Sequence, residues 1–172
     1  MNEYEKLDVE SYEHNLKLYN ESIRKDLDIT LTSTIPTQKN LMKTILWLNS
    51  SVIGLCLAAV SKNFAIFYIS MPFVFSYLAI ITILYSLKDG RVKTLGSPPI
   101  KSIENITPNE YEKINGLITL NESYKKALDN NVELIQKRAK KIAFATKMTI
   151  LSIISIFIIA VLYVNINFMK GG

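Results

Sequence analysis

The hydrophobic residues of this chain are not interleaved with its charges but gathered in three blocks. They are "TILWLNSSVIGLCLAAV" (44–60), "FAIFYISMPFVFSYLAIITILYSL" (64–87) and a run over about 148–168. A soluble core would alternate apolar and polar positions at helix or strand period. Blocks near bilayer thickness predict membrane-spanning helices instead. The first block is short, roughly 25 Å at helical rise, and Leu41 and Met42 extend it. Only "SKN" (61–63) joins the first two, which predicts a tight antiparallel hairpin.

Outside the blocks the pattern changes to that of surface helices. Tyr12, Leu16, Tyr19, Ile23 and Leu27 recur at three- and four-residue spacing, one stripe of an amphipathic helix. Its polar face, with Lys17, Arg24, Lys25, Asp26 and Asp28, is mixed and acid-rich, which suits packing on another protein helix better than lipid headgroups. The pattern lapses in "TLTSTIPTQKN", where Pro36 is expected to break or kink the chain. After the second block, Gly90, Gly96 and Pro98-Pro99 mark a linker. "TPNE" then reads as a helix start, with Thr107 as N-cap, Pro108 at the first position and Glu110 completing a capping box. The stripe Tyr111, Ile114, Leu117/Ile118, Tyr124, Leu128 and Ile135 follows, with a gap near Asn121. From about Leu117 to Val164 nothing stops the helix, which predicts a rod on the order of 70 Å leading from water into the bilayer. Such a rod would carry an event on its charged half into the span, or simply anchor a small bundle.

Charge sets the expected orientation. Lys88, Arg91 and Lys93 follow the second block, and Lys137, Arg138, Lys140 and Lys141 precede the third. The hairpin tip offers Lys62 and the C-terminal tail Lys170. The positive-inside rule then places the N-terminus and 88–142 in the cytoplasm and the C-terminus outside. The expected fold is all-α: an integral membrane protein with three transmembrane helices and a cytoplasmic helical bundle. That bundle is formed by the N-terminal helix and a long helix continuous with the third span. The expected parts are a cytoplasmic amphipathic helix (1–40), a two-span hairpin (41–87), a cytoplasmic linker and helix (88–142), and a third span with a short outer tail (143–172).

Within the spans the polar and small residues are the informative ones. Ser50, Gly54 and Ala58 lie four apart, a strip that lets helix backbones approach closely, within the hairpin or between protomers. Asn49 with Ser50 and Ser51 makes a polar notch unsuited to lipid. Pro72, beside Ser70, is expected to kink the second span and free a carbonyl. Ser152 and Ser155 share a face of the third, and Lys147 near its start would snorkel to the interface. Polar faces on three spans would line an assembled pore, but no buried acidic residue supplies a selectivity ring.

Composition narrows the chemistry. The single cysteine, Cys56, lies in an apolar block, so neither an intramolecular disulfide nor a thiolate metal site forms; the single histidine, His14, reads as a solvated surface residue. One His and one Cys cannot furnish a Ser-His-Asp set, an HExxH zinc site or a CxxC pair. Glu110 and Glu112 sit on a solvated helix, where acid–base work has little support. No enzyme activity, metal or cofactor is expected. The acidic, polar "MNEYEKLDVE" argues against a signal peptide, and Asn2 stands where myristoylation needs glycine.

The order of amphipathic helix, minimal-loop hairpin, Pro-containing linker, "ITPNEYEKI" and "YKKALDNNVELIQKRAKKIAFA" before a last apolar run resembles the small transmembrane effectors of bacterial anti-phage systems. These are the Pycsar transmembrane effector family and the related SLATT domains. The resemblance implies an effector in the bacterial inner membrane that senses a cyclic nucleotide or a cytoplasmic partner protein. It would then form homo-oligomers and breach the bilayer, without direct nucleic-acid binding. It further implies a cationic surface for phosphate, for which Arg91, Lys93, Lys101, Lys137 and Arg138 are the available set; the same charges also serve positive-inside anchoring. Two other readings stay open: a membrane-anchored scaffold that recruits a cytoplasmic partner, and a small channel or holin-like subunit.

Overall fold

The computed structural model describes residues 3–62, 66–88, Gly90, Val92 and 110–170, with side chains described over 8–62, 66–88, at 90 and 92, and over 114–165. Among the described residues every regular element is helical. Helix α1 covers Glu3–Ile29, a π-helical turn covers Thr30–Thr34, and α2 covers Ile35–Ser61. Helix α3 covers Ile66–Lys88 and α4 covers Glu110–Lys170. The expected cap at Thr107 and Pro108 lies outside the described residues.

Pro36 neither breaks the chain nor ends a helix. The expected irregularity takes the form of the π turn just before it, in which the Ile35 N–H donates to the Thr30 carbonyl, five residues back. Proline offers no N–H to the Thr32 carbonyl, and its ring crowds that oxygen in a regular α-helix. A wider turn relieves the crowding and leaves the helix running on both sides. Since α2 reaches back to Ile35, the first apolar block sits in a helix of 27 residues, and its shortness is no obstacle to crossing a bilayer.

Helix α4 runs 61 residues without interruption. From Leu117 to Ile159, alternating steps of four and three residues land on a buried or half-buried position every time. That is the 3.5-residue period of a left-handed supercoil seam. The gap at Asn121 is no gap in burial, for Asn121 is 5% exposed. The helix keeps its frame while polar side chains take the place of apolar ones.

The chain forms two compact units, 1–36 with 90–135, and 37–89 with 136–172. In the first unit, α1 seats Ile23 and Leu27 in the interior, and α4 contributes Asn121, Asn131 and Leu134. Asn20 Nδ2 donates to Asn121 Oδ1 at 2.8 Å, and Asn121 Nδ2 to the Leu16 carbonyl at 3.3 Å. Tyr12 and Tyr19, expected on the same stripe, remain about half exposed. Gly90 takes φ +36°, a left-handed conformation that glycine adopts at no steric cost.

In the second unit α2, α3 and α4 make a three-helix bundle with two apolar clusters. Met42, Ile45, Ala79, Ile83, Ile142 and Ala145 form one; Val52, Cys56 and Ile69 form the other, with Phe73 and Ile156 against it. The order of contacts runs α2 and α4 in the same direction and α3 against them. Three helices are long and apolar enough to cross a membrane, yet only 22%, 28% and 11% of their most apolar windows are buried. Phe67 is 82% exposed, Ile66 71% and Phe157 70%. An outward surface of this kind suits hydrocarbon and not water, so the chain fits a multi-pass membrane protein.

Candidate functional site

Between the two apolar clusters of the bundle lies a polar layer. Asn49 is fully buried on α2; its Nδ2 donates to the Ile45 carbonyl at 2.7 Å and to Thr149 Oγ1 of α4 at 2.8 Å. Thr149 Oγ1 in turn donates to the Ala145 carbonyl at 2.8 Å. Asn49 Oδ1 is buried and accepts no hydrogen bond from the described residues. On α3, Ser76 Oγ lies 2.8 Å from Ser152 Oγ, and Ser152 Oγ donates to the Pro72 carbonyl at 2.9 Å. Since the Ser152 proton is used there, Ser76 is the donor to Ser152. All these side chains stand on the seam, where heptad spacing puts them against a neighbouring helix rather than lipid. An unpaired polar group in hydrocarbon costs several kcal/mol, on the order of 4–8 for an amide or hydroxyl in a solvent that cannot hydrogen-bond. Pairing across helices removes most of that penalty and ties α2, α3 and α4 together.

The notch expected at Asn49, Ser50 and Ser51 is thereby divided: Asn49 points inward, while Ser50 and Ser51 are exposed and the Ser51 hydroxyl donates to the Trp47 carbonyl. Ser50, Gly54 and Ala58 are all exposed, and a Cβ built on Gly54 would meet nothing within 4 Å. The strip does not pack within the hairpin; the chain's own helices leave it uncovered. Ser152 is buried and holds α4 to α3. Ser155 is half-buried and back-bonds to the Leu151 carbonyl. Pro72 lies buried inside a continuous α3.

Towards the hairpin end the bundle loosens. A groove of about 230 Å³ is lined by Cys56 and Ala59 of α2, Ile69 and Pro72 of α3, and Ile156 and Ile159 of α4. A second, of about 240 Å³, lies between Phe67, Tyr68 and Met71 of α3 and Ser155, Ile158 and Leu162 of α4. Both are apolar, and neither gathers groups for bond-making chemistry. Among the described residues no cluster of His, Cys, Asp or Glu could hold a metal ion.

Of the five cations expected to meet phosphate, Arg91, Lys93 and Lys101 lie outside the described residues. Lys137 is exposed, whereas Arg138 is 5% exposed and occupies a seam position of α4. Successive helical residues point about 100° apart, so the two side chains leave α4 in different directions. Sequence reasoning missed the pairs Asn20–Asn121, Asn49–Thr149 and Ser76–Ser152. The signal was the unbroken alternation of four and three, which a search for apolar residues alone skips over.

Comparison with known proteins adds no relative: no family model, no curated protein and no solved structure matches the chain.

Proposed function

We propose that this protein is a membrane-embedded effector of a bacterial anti-phage defence system. It is triggered from the cytoplasmic side, by a nucleotide signal or a partner protein, to oligomerise and disrupt the inner membrane. The observation that carries this reading is the uncovered Ser50–Gly54–Ala58 strip on an otherwise apolar helix. Without a solvent-driven force between helices in lipid, close backbone approach at small residues is a main source of association. A second copy is the natural cover for such a strip. The unbroken α4 supports the triggering step, since it joins a charged segment to an apolar one with no hinge of Gly or Pro between them. The Lys/Arg distribution supports an N-terminus in the cytoplasm and a C-terminus outside. In this reading the protein is not an enzyme and needs no cofactor. Its cytoplasmic bundle, of α1 with the first part of α4, receives the signal, and exposed cations such as Lys137 meet any phosphate.

The second reading, a membrane-anchored scaffold, draws on the polar layer: its hydroxyls are paired across the helices, as in a static anchor. Expression with the neighbouring genes, followed by phage challenge, separates the two. Loss of membrane potential and dye entry that scale with protein dose, and that vanish in Gly54→Leu, support the effector. Protection with an unchanged potential overturns it in favour of the scaffold.

A further inference from the structure

The two interhelical polar pairs carry a numerical discrepancy. Asn20 and Asn121 are 101 residues apart in sequence, while Asn49 and Thr149 are 100 apart. Between one pair and the other, α4 spends 28 residues, four whole heptads, whereas the stretch through α1 and α2 spends 29. The burial pattern gives the same answer independently. Up to the first residue of the π turn the interior positions follow Leu16, Asn20, Ile23, Leu27 and Thr30. After it those of α2 follow Ile35, Gln38, Met42, Ile45 and Asn49, a heptad frame displaced by one residue.

The turn is built to hold that extra residue. A π turn takes i to i+5 bonds and so houses about one residue more than an α turn, and the Ile35 N–H to Thr30 carbonyl bond is of that kind. Pro36 disfavours the α alternative, because its ring would press on the Thr32 carbonyl. The segment "TLTST" gives up little by leaving α geometry, being rich in β-branched and hydroxyl residues, and Thr32 Oγ1 donates to the Asp28 carbonyl at 2.7 Å.

We infer that Thr30–Thr34 is a register element for the N-terminal helix: it stores one residue that α4 lacks, and Pro36 keeps it stored. While the turn stays wide, α1 presents Asn20, Ile23 and Leu27 to the interior of the first unit. Closing it to α geometry turns α1 by about 100°. Glu21, Arg24 and Asp28 then take those places, and the apolar stripe is released to the surface. A single backbone turn thus decides which face of α1 is hidden. This holds whatever the spans themselves do.

The test is a two-change cycle in the full chain, in nanodiscs, on a Cys56→Ser background. Disulfide yield between Asn20→Cys and Asn121→Cys reads the register, and yield between Asn49→Cys and Thr149→Cys reads the fold of the apolar bundle. Deleting Thr32 alone removes the stored residue but leaves the proline holding the turn open. The expected result is at least a threefold fall in the first yield with the second retained. Adding Pro36→Ala to the deletion lets one regular helix carry a single frame and restores the first yield to near its starting value. Pro36→Ala alone, with the extra residue present, shifts yield toward a Glu21→Cys/Asn121→Cys pair. A deletion without effect overturns the inference, as does one that Pro36→Ala fails to rescue, including a deletion that loses both yields.

Discussion

The two units put polar side chains to opposite uses. In the first, the charges of α1, such as Arg24, Lys25, Asp26 and Asp28, face outward, and the interior is an apolar stripe interrupted by the Asn20–Asn121 bond, Thr30 and Asn131. In the second, the outward faces are apolar, and the interior holds Asn49, Ser76, Thr149 and Ser152 between two apolar clusters. One seam serves both, since α4 keeps its frame from Leu117 to Ile159. What differs is the solvent that each outward face suits. Water satisfies any polar group that faces it, so in the first unit the interior is the place to hide carbon. Hydrocarbon satisfies none, so in the second the interior is the place to hide oxygen and nitrogen.

The sharpest way to break this comparison is a carboxylate on each side. Val74, 49% exposed, lies near the middle of α3, and Asp near the centre of a spanning helix costs about 2.5–3.5 kcal/mol in insertion. Val74→Asp is expected to lower the membrane-integrated fraction, read by alkaline extraction, by more than tenfold. Leu18, 51% exposed on α1, should tolerate the same residue within about 0.5 kcal/mol. Equal penalties would mean that the second unit is not lipid-facing. A smaller contrast lies inside the second unit. Ala145 is fully buried in an apolar cluster, so Ala145→Leu should cost about 1–3 kcal/mol by overpacking. Gly54→Leu, in open space, should leave thermal stability in dilute detergent unchanged while reducing chemical cross-linking between copies.

How far the sequence shows all this depends on which signal is asked for. The three apolar helices and the continuity of α4 were legible, because block length and the absence of Gly or Pro between Gly116 and Gly171 speak directly to them. The stripe of α1 was legible at Leu16, Ile23 and Leu27 but not at Tyr12 and Tyr19, which stay about half exposed. The inward direction of Asn49 was hidden by the adjacent Ser50 and Ser51, which make a local notch in one dimension but point elsewhere on a helix. Pro36 left the choice between a break and a kink open. A proline ends a helix when its carbonyl clash goes unrelieved, and here one surplus residue supplies the relief. The outward strip was recognised as close-packing material, yet whether it packs inside the hairpin depends on helix rotation, which spacing alone does not fix.

A third prediction concerns the paired side chains. Interhelical hydrogen bonds in membranes average about 0.6 kcal/mol and reach about 1.7 at most, because the unpaired groups find other partners. A double-mutant cycle of Asn49→Ala and Thr149→Val should therefore give a coupling of about 0.6 kcal/mol. Asn20→Ala with Asn121→Ala should give a similar figure, within the 0.5–1.5 kcal/mol usual for a net hydrogen bond. The two environments would then differ in what each group does when left alone, not in the strength of the bond. A coupling above about 2 kcal/mol for Asn49–Thr149 alone would contradict that view.

The smallest effect tests the aqueous side by itself. Glu13 and Lys17 on α1 form an i,i+4 ion pair at 2.6 Å, with the acid N-terminal, the better order for a helix. The Lys17 side chain is 53% exposed, so water screens the attraction. Such pairs contribute about 0.3–0.5 kcal/mol. Lys17→Met keeps the aliphatic stem and should lower unfolding stability by about that much in low salt. Near 1 M salt the Debye length falls to about 3 Å, and the difference should shrink to nothing. Thermal melts of the two proteins at both salt levels make the measurement. A deficit that persists in high salt would mean that the Lys17 ammonium is shielded from bulk ions. The first unit would then be more enclosed than its charged outer face implies, and the contrast between the units would weaken accordingly.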